Sequence, residues 1–354
     1  MSGADTLNPI GNPIGRLNPV GKTGVRVPAL GFGAAAIGNL YRPLSDQAAR
    51  ACVTAALDAS IAYFDTAPRY GHGLSERRLG MTLPTNAVIS TKVGRVLSPI
   101  TPPPPGTERH GFVDGDPFEE HFDYSYDGVM RSFETSLLRL KRERIDILLA
   151  HDLGRLTHGP DHDHHLKAFL EGGLKALQTL KAEGRIGAIG LGVNETAICD
   201  QVLDHADVDA ILLAGRYTLL EQNPLDAFLP RCVARNVSII LGGPFNSGIL
   251  ISGVKGDQVP FYDYAPAPSE IINRVRRIEE VCADHGVPLA AAALQFPLAH
   301  PAVVSVIPGM ATPDEVRSNT ALFNHPIAPA VWDDLKTAGL IPAAAPTPKA
   351  PVSA

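Results

Sequence analysis

The sequence predicts a single α/β domain of the (β/α)8 TIM-barrel class, with long loops after some strands and mobile termini. Three observations carry that expectation. Apolar strand-like runs alternate with helical patterns, and eight such pairs fit within roughly 300 residues. No Gly-x-Gly-x-x-Gly opens the first helix of any β-α-β unit, and Gly31-x-Gly33 is a poor candidate, which disfavours a doubly wound sheet. Residues able to handle protons fall at or just after the ends of three strand-like runs, on the face where barrels build their active sites.

Taken in order, Leu30-Gly31-Phe32-Gly33 forms the first strand, followed by an alanine-rich helix capped by Ser45 with Asp46 in its first turn. The second strand, 61–65, is the apolar aromatic run Ile61 to Phe64 closed by Asp65, and a Pro- and Gly-punctuated turn then presents Tyr70. A short helix opens at Ser75-Glu76. The strand at 87–92 stops at Lys92, a helix spans about 125–140, and the strand at 145–151 stops at His151. A helix at 165–183, a strand at 186–193, a helix at 195–205, a strand at 208–214, a helix at 224–235 and a strand at 237–242 continue the alternation. A helix at 269–285, a strand at 302–307 and a helix at 313–322 complete it.

With 354 residues and 45% hydrophobic content the chain can bury a large core, although composition alone does not choose between one barrel and two ordinary domains. A net charge of −6 without any basic run or basic-aromatic stripe argues against nucleic acid or an anionic membrane as partner. No obligatory protein partner is indicated. The start lacks a positive n-region and an apolar h-region, and no apolar run is long enough to span a membrane, so a cytoplasmic protein is expected. Cys52, Cys199, Cys232 and Cys282 stand far apart with no C-x-x-C pair, which suggests neither a disulfide framework nor a zinc site. Residues 1–24, with a loose Leu-Asn-Pro echo, read as a mobile arm with room for a short hairpin at its end. Residues 25–340 read as the barrel and 341–354, nearly all Ala and Pro, as a disordered tail.

Two loops exceed what closure requires. Gly94 to Tyr124 holds Pro102 to Pro105 and then the aromatics Phe112, Phe118, Phe122 and Tyr124, a composition that favours a lid. Gly242 to Ser269 begins Gly-Gly-Pro-Phe-Asn-Ser-Gly, where Gly243 lets backbone amides approach an anion closely. The His-rich segment His158 to His165 is too Gly/Pro-rich for fixed ligand geometry, and no metal is assigned to it.

A phenol with a pKa near ~10 exchanges protons poorly at neutral pH, and a neighbouring ammonium lowers that value by favouring the phenolate. Lys92 can supply the ammonium to Tyr70, Asp65 can keep Lys92 charged and aimed, and His151 can orient the substrate oxygen. This set suits proton transfer at an alcohol or carbonyl oxygen, and hydride transfer if a nicotinamide lies nearby.

On these residues the chain resembles the aldo-keto reductase superfamily. Phe-Asp65-Thr-Ala-Pro-Arg-Tyr70-Gly with Glu76-Arg-Arg-Leu-Gly80, Ser-Thr-Lys92-Val-Gly, and Asp-Ile-Leu-Leu-Ala-His151-Asp look like its motifs, in order, within a match from about Val25 to Asn319. The resemblance implies a catalytic tetrad of Asp65, Tyr70, Lys92 and His151. It also implies Asn194 as the amide that holds the nicotinamide carboxamide and Tyr217 as the aromatic on which the ring stacks, whereas the glutamine many members carry is replaced by Ala214. The segment Gly309-Met310-Ala311 with Glu315 stands where NADP-preferring members place basic residues, so NAD is expected over NADP, and Asn319 matches the adenine-contacting asparagine. Phe122 to Asp127, Leu213 to Gln222 and Gly242 to Leu250 look like the narrower group of threo-aldose 1-dehydrogenases, fucose dehydrogenases and pyridoxal dehydrogenases.

The expected function is an NAD(P)-dependent oxidoreductase acting on a small molecule, with an aldose oxidised to its lactone placed first and a pyridoxal-type substrate next. An NADPH-dependent carbonyl reductase is the alternative. A Schiff-base aldolase using Lys92 remains open on the residues alone. A nucleotide-binding regulatory barrel is disfavoured by the intact tetrad.

Overall fold

The structure is a computed structural model that describes residues 17–256 and 259–349. Eight parallel strands lie side by side in chain order. They are β1 (Phe32–Gly33), β2 (Tyr63–Asp65), β3 (Val88–Val93), β4 (Ile145–His151), β5 (Ile186–Val193), β6 (Ala210–Ala214), β7 (Ser238–Gly242) and β8 (Val303–Ile307). The ring closes where Leu30 and Gly33 bridge Val306 and Gly309 in parallel, with the Val306 amide donating to the Ala29 carbonyl at 2.8 Å. This is the expected TIM barrel.

Its strands read as mainly apolar runs because both faces are buried, with polar residues such as Ser90, Thr91 and Lys92 confined to a few positions. Side chains alternate between faces, so Tyr63, Ile147, Leu149, Leu212 and Ile240 fill the barrel interior while Phe64, Leu148 and Ala150 pack outward against the helices. The same alternation decides where the polar strand ends point. Asp65 shares a face with Tyr63, and His151 with Leu149, so both carry their groups into the barrel mouth.

The amino ends of the strands are covered by a hairpin, Leu17–Pro19 paired with Arg26–Pro28. Val20 and Val27 are fully buried there, and Asn18 donates to the Val304 carbonyl at 2.8 Å. Of the segment 1–24 read as an arm, residues 17–24 therefore belong to this plug, because its three valines find an apolar seat inside the barrel; residues 1–16 lie outside the described residues. At the other end Ile341 and Ala345 are buried against the outer core, so 341–349 packs at least in part instead of trailing free, and 350–354 lie outside the described residues.

Most helices fall where expected, with Ser45 accepting from the Ala48 amide and Ser125 from the Gly128 amide as caps. The helix expected at 165–183 is instead His162–Ala168, a π-turn Phe169–Gly173 and Leu174–Ala182. The widened turn presents Gly173 to the Tyr124 carbonyl, where any Cβ would collide at 2.4 Å. Leu289–Gln295 and Pro329–Thr337 are helices that lie outside the expected alternation, as does the short helix Arg155–His158.

The excursion from Gly94 to Tyr124 is not an irregular lid. Arg95–Pro99 pairs antiparallel with Phe118–Phe122, and Glu108–Arg109 with Phe112–Val113, so it forms a β-hairpin flap. Gly94 begins it with φ +97°, and the Tyr124 ring lies 2.2 Å from where a Cβ would sit. The excursion after β7 carries a short helix, Ile249–Ser252, and the hairpin Phe261–Tyr262 with Ala265–Pro266. Among the described residues no helix is long and apolar enough to cross a membrane.

Candidate active site

At the carboxyl ends of the strands lies a cleft of about 660 Å3, lined by Tyr70, Lys92 and His151 on its floor and by Tyr41, Phe112 and Tyr264 higher up. A side pocket of about 230 Å3 adjoins it through Asp152 and Asn194.

The floor is built around Lys92, which is 1% exposed. Its ammonium has three hydrogens to place. Asp65 Oδ2 lies 2.8 Å away, the Thr66 carbonyl 2.8 Å, and the Tyr70 hydroxyl oxygen 3.3 Å. Two partners thus anchor the amine and the third direction is Tyr70. The other Asp65 oxygen accepts from Ser90 at 2.6 Å, and Ser90 meets the Tyr63 hydroxyl at 2.9 Å. The His151 ring stands edge-on to Tyr70 with centroids 6.0 Å apart. All four expected tetrad residues are therefore brought together.

The electrostatics follow from burial. Desolvation lowers the Lys92 pKa, but Asp65 and Tyr70 outweigh it and the net direction is up, so the amine stays charged. Tyr70 departs from the sequence expectation: burial raises it, and Lys92 offsets only part of that rise, so the free site holds a neutral phenol. Burial, reinforced by Arg95, Lys92 and Arg69, holds His151 well below the usual histidine range, leaving a neutral imidazole. Its Nδ1 is buried without a partner among the described residues, and its Nε2 lies 3.4 Å from Asp152 Oδ2.

The expected cofactor contacts divide. Asn194 lines the cleft beside Gly192, Leu212 and Ala214. Tyr217 does not reach it. That side chain is fully buried, its ring against Phe296 and His300 with centroids 5.7 and 5.5 Å away, because the chain turns at Gly215 and sends the ring outward into the helical layer. Tyr264, 67% exposed on the second excursion, is among the aromatics the structure does bring to the cleft. Gly243 sits at the end of β7 with φ +57° beside Gly215. Gly309 follows β8 with open space where a side chain would stand, whereas Met310 is fully buried in the core and offers no side chain to a ligand. Glu315 accepts from the Ala311 amide at 2.7 Å and pairs with Arg42 at 3.2 Å. Asn319 is 3% exposed, and its Oδ1 has no partner among the described residues.

The sequence reading passed over a chain of ion pairs along the cleft wall. Glu120 Oε1 accepts from both Arg69 and Arg95, and Arg95 reaches Asp152 Oδ2 at 2.8 Å. Arg69 and Asp152 stood within the motifs already singled out; Arg95 and Glu120 meet only through the flap's pairing. The His-rich segment packs as rings: His158 and His165 lie 4.0 Å apart, and His158 Nε2 is 3.0 Å from the Tyr124 hydroxyl. Burial and the neighbouring His165 depress the His158 pKa to about 4. Among the described residues no group of three or more His, Cys, Asp or Glu is arranged to hold a metal ion.

Comparison with known proteins agrees with this geometry. Residues 29–339 match the profile of the aldo/keto reductase family. The chain is 46% identical to pyridoxal 4-dehydrogenase of Microbacterium luteolum over 333 residues, covering 91% of this chain and 97% of that protein. It is 40% identical to D-threo-aldose 1-dehydrogenase of a Pseudomonas species over 326 residues, covering 90% and 96% respectively. Among solved structures, the holo form of a Bacillus halodurans aldo-keto reductase superposes with a TM-score of 0.72 at 22% identity, covering 93% of this chain and 97% of that one.

Proposed function

This chain belongs to the aldo/keto reductase family and is an oxidoreductase that uses a nicotinamide cofactor, and from that premise we propose that it is a dehydrogenase of cyclic hemiacetals, oxidising an aldose to its lactone. The observation that carries the reading is the Lys92 ammonium, anchored on two sides and directed on the third at the Tyr70 oxygen within the cleft.

The residues fit the cofactor. The small floor of Gly192, Leu212 and Ala214 leaves room for a flat ring beside Asn194, and the unpartnered buried Oδ1 of Asn319 suits an amine donor such as that of adenine. A nicotinamide held there would supply the acceptor for the hydride of the substrate carbon. Tyr70 takes the hydroxyl proton during oxidation and returns it to the carbonyl oxygen in reduction. Lys92 stabilises the phenolate that oxidation requires, Asp65 and the Thr66 carbonyl hold Lys92 in place while Ser90 holds Asp65, and neutral His151 hydrogen-bonds the reacting oxygen.

NAD is the proposed cofactor. Glu315 already occupies the Ala311 amide, and Arg42 and Arg317 are paired with Glu315 and Asp314, so a 2′-phosphate would meet a carboxylate there and would have to draw either arginine out of its pair. The four cysteines are free and buried, which suits a reducing cytoplasm. Pyridoxal, a cyclic hemiacetal itself, is the second candidate substrate. Aldolase chemistry is disfavoured because a Schiff base needs a neutral amine, and Asp65 and Tyr70 together keep Lys92 charged.

The test is a panel of aldoses, pyridoxal and simple aldehydes assayed with NAD and NADP in both directions. Aldose-dependent growth of reduced-nicotinamide absorbance supports the reading. Aldehyde reduction without any aldose oxidation would replace it with a carbonyl reductase.

A further inference from the structure

We infer that the cleft selects neutral polyhydroxy substrates and rejects their phosphorylated and carboxylated counterparts, and that Glu120 and Asp152 are the residues that make the selection. This rests on the dehydrogenase reading above and narrows its substrate.

The wall of the cleft carries two arginines and two carboxylates. Arg69 and Arg95 both donate to Glu120 Oε1, and Arg95 also donates to Asp152. Two positive and two negative charges cancel, so an anion would have to compete with Glu120 and Asp152 for the arginines. Besides the Arg95 Nε–H, which has no partner among the described residues, the wall offers a carboxylate acceptor. Glu120 is 7% exposed, and its Oε2 is buried with no partner among the described residues. An ionised carboxylate oxygen can only accept, so this atom is completed by a ligand O–H or N–H.

The fold holds these acceptors deliberately in place. Glu120 faces Leu97 across the flap, two pairs along from the Arg95–Phe122 pair, while Arg95 stacks over the Phe122 ring at 4.6 Å. Asp152 takes φ +48°, a left-handed conformation unusual for a residue with a side chain, and its amide is tied to the Gly192 carbonyl at 2.9 Å. That backbone keeps its carboxylate 3.4 Å from His151 Nε2, beside the reacting oxygen.

A sugar brings several hydroxyl hydrogens to such a wall. A phosphate or carboxylate in the same place brings none and adds a like charge to Glu120 and Asp152. A site whose buried polar atoms are left unpaired by the wrong ligand discriminates strongly, here by at least about a hundredfold in kcat/KM.

The experiment compares each accepted aldohexose with its 6-phosphate and its uronate in oxidation, and glyceraldehyde with its 3-phosphate in reduction. The neutral member of each pair is expected to be favoured by about a hundredfold or more. Glu120→Gln keeps the shape, releases charge from both arginines, and should narrow that ratio by about tenfold or more. Equal use of neutral and anionic members by the native protein overturns the inference and leaves the dehydrogenase reading standing. An unchanged ratio in a folded Glu120→Gln protein also overturns it; if that variant does not fold, the native comparison decides alone. Turnover of neither series overturns the dehydrogenase reading and this one with it.

Discussion

Tyr124 donates its hydroxyl hydrogen to the main-chain carbonyl of His151 at 2.6 Å, so the base of the flap is bolted to the strand end that carries the imidazole. The flap therefore moves, if it moves, about a hinge that also sets His151. Tyr124→Phe leaves a buried carbonyl unsatisfied and should cost about 1–3 kcal/mol of stability. It should also raise KM for the substrate while leaving NAD affinity unchanged, since the flap completes the site without holding the dinucleotide. Denaturant titration and steady-state kinetics check both; an unchanged KM would show that the flap does not shape the substrate site.

The Asp65–Lys92 pair is almost fully buried, and removing one partner strands the other. Lys92→Met should destabilise the protein by about 3–5 kcal/mol, whereas the double change Asp65→Asn with Lys92→Met should recover much of that loss without restoring turnover. Equal stability of the single and double variants would mean that the pair is not energetically coupled.

Because burial raises the Tyr70 pKa above that of an ordinary phenol, with Lys92 only partly offsetting it, the free enzyme carries Tyr70 as an acid at neutral pH. Oxidation needs the deprotonated form, so its kcat/KM should climb with pH into the alkaline range. Reduction needs the protonated form and should fall through the same value. His151, held neutral, adds no transition near its ordinary pKa. Replacing Lys92 with Met removes the lowering charge and should move the oxidation limb to higher pH; a limb that stays in place would separate Lys92 from Tyr70 in function.

The NAD preference depends on Glu315. Native kcat/KM should favour NAD over NADP, and Glu315→Arg should improve NADP by about tenfold or more, as a charge-assisted donor replaces a repelling carboxylate. Native discrimination toward NADP contradicts this assignment.

What could be read in the sequence follows from burial. Strands covered on both faces are mainly apolar, so all eight barrel strands are visible within a residue or two, and their ends place Asp65, Lys92 and His151 in one mouth. Leu289–Gln295 was missed although Pro288 and four consecutive alanines favour a helix, because a helix buried on every side shows no amphipathic period. The pairing within the flap is not legible in the sequence because its strands are short, partly exposed and separated by the proline run Pro102 to Pro105. That the Tyr217 ring is buried away from the cleft is not legible, since motif spacing says nothing about which way a side chain leaves a turn. Arg95 and Glu120 are 25 residues apart and meet only through long-range pairing.

The central claim is that Tyr70 exchanges the proton while a hydride leaves the substrate carbon, and deuterium tests it most directly. An accepted aldose labelled at C1 is incubated with NAD and either the native protein or Tyr70→Phe, and the reduced dinucleotide is examined for label at nicotinamide C4. The account predicts stoichiometric label transfer by the native protein, and for Tyr70→Phe the same transfer slowed on the order of a hundredfold or more with NAD affinity little changed. Label lost to solvent, or a Tyr70→Phe protein that turns over near the native rate, would contradict it.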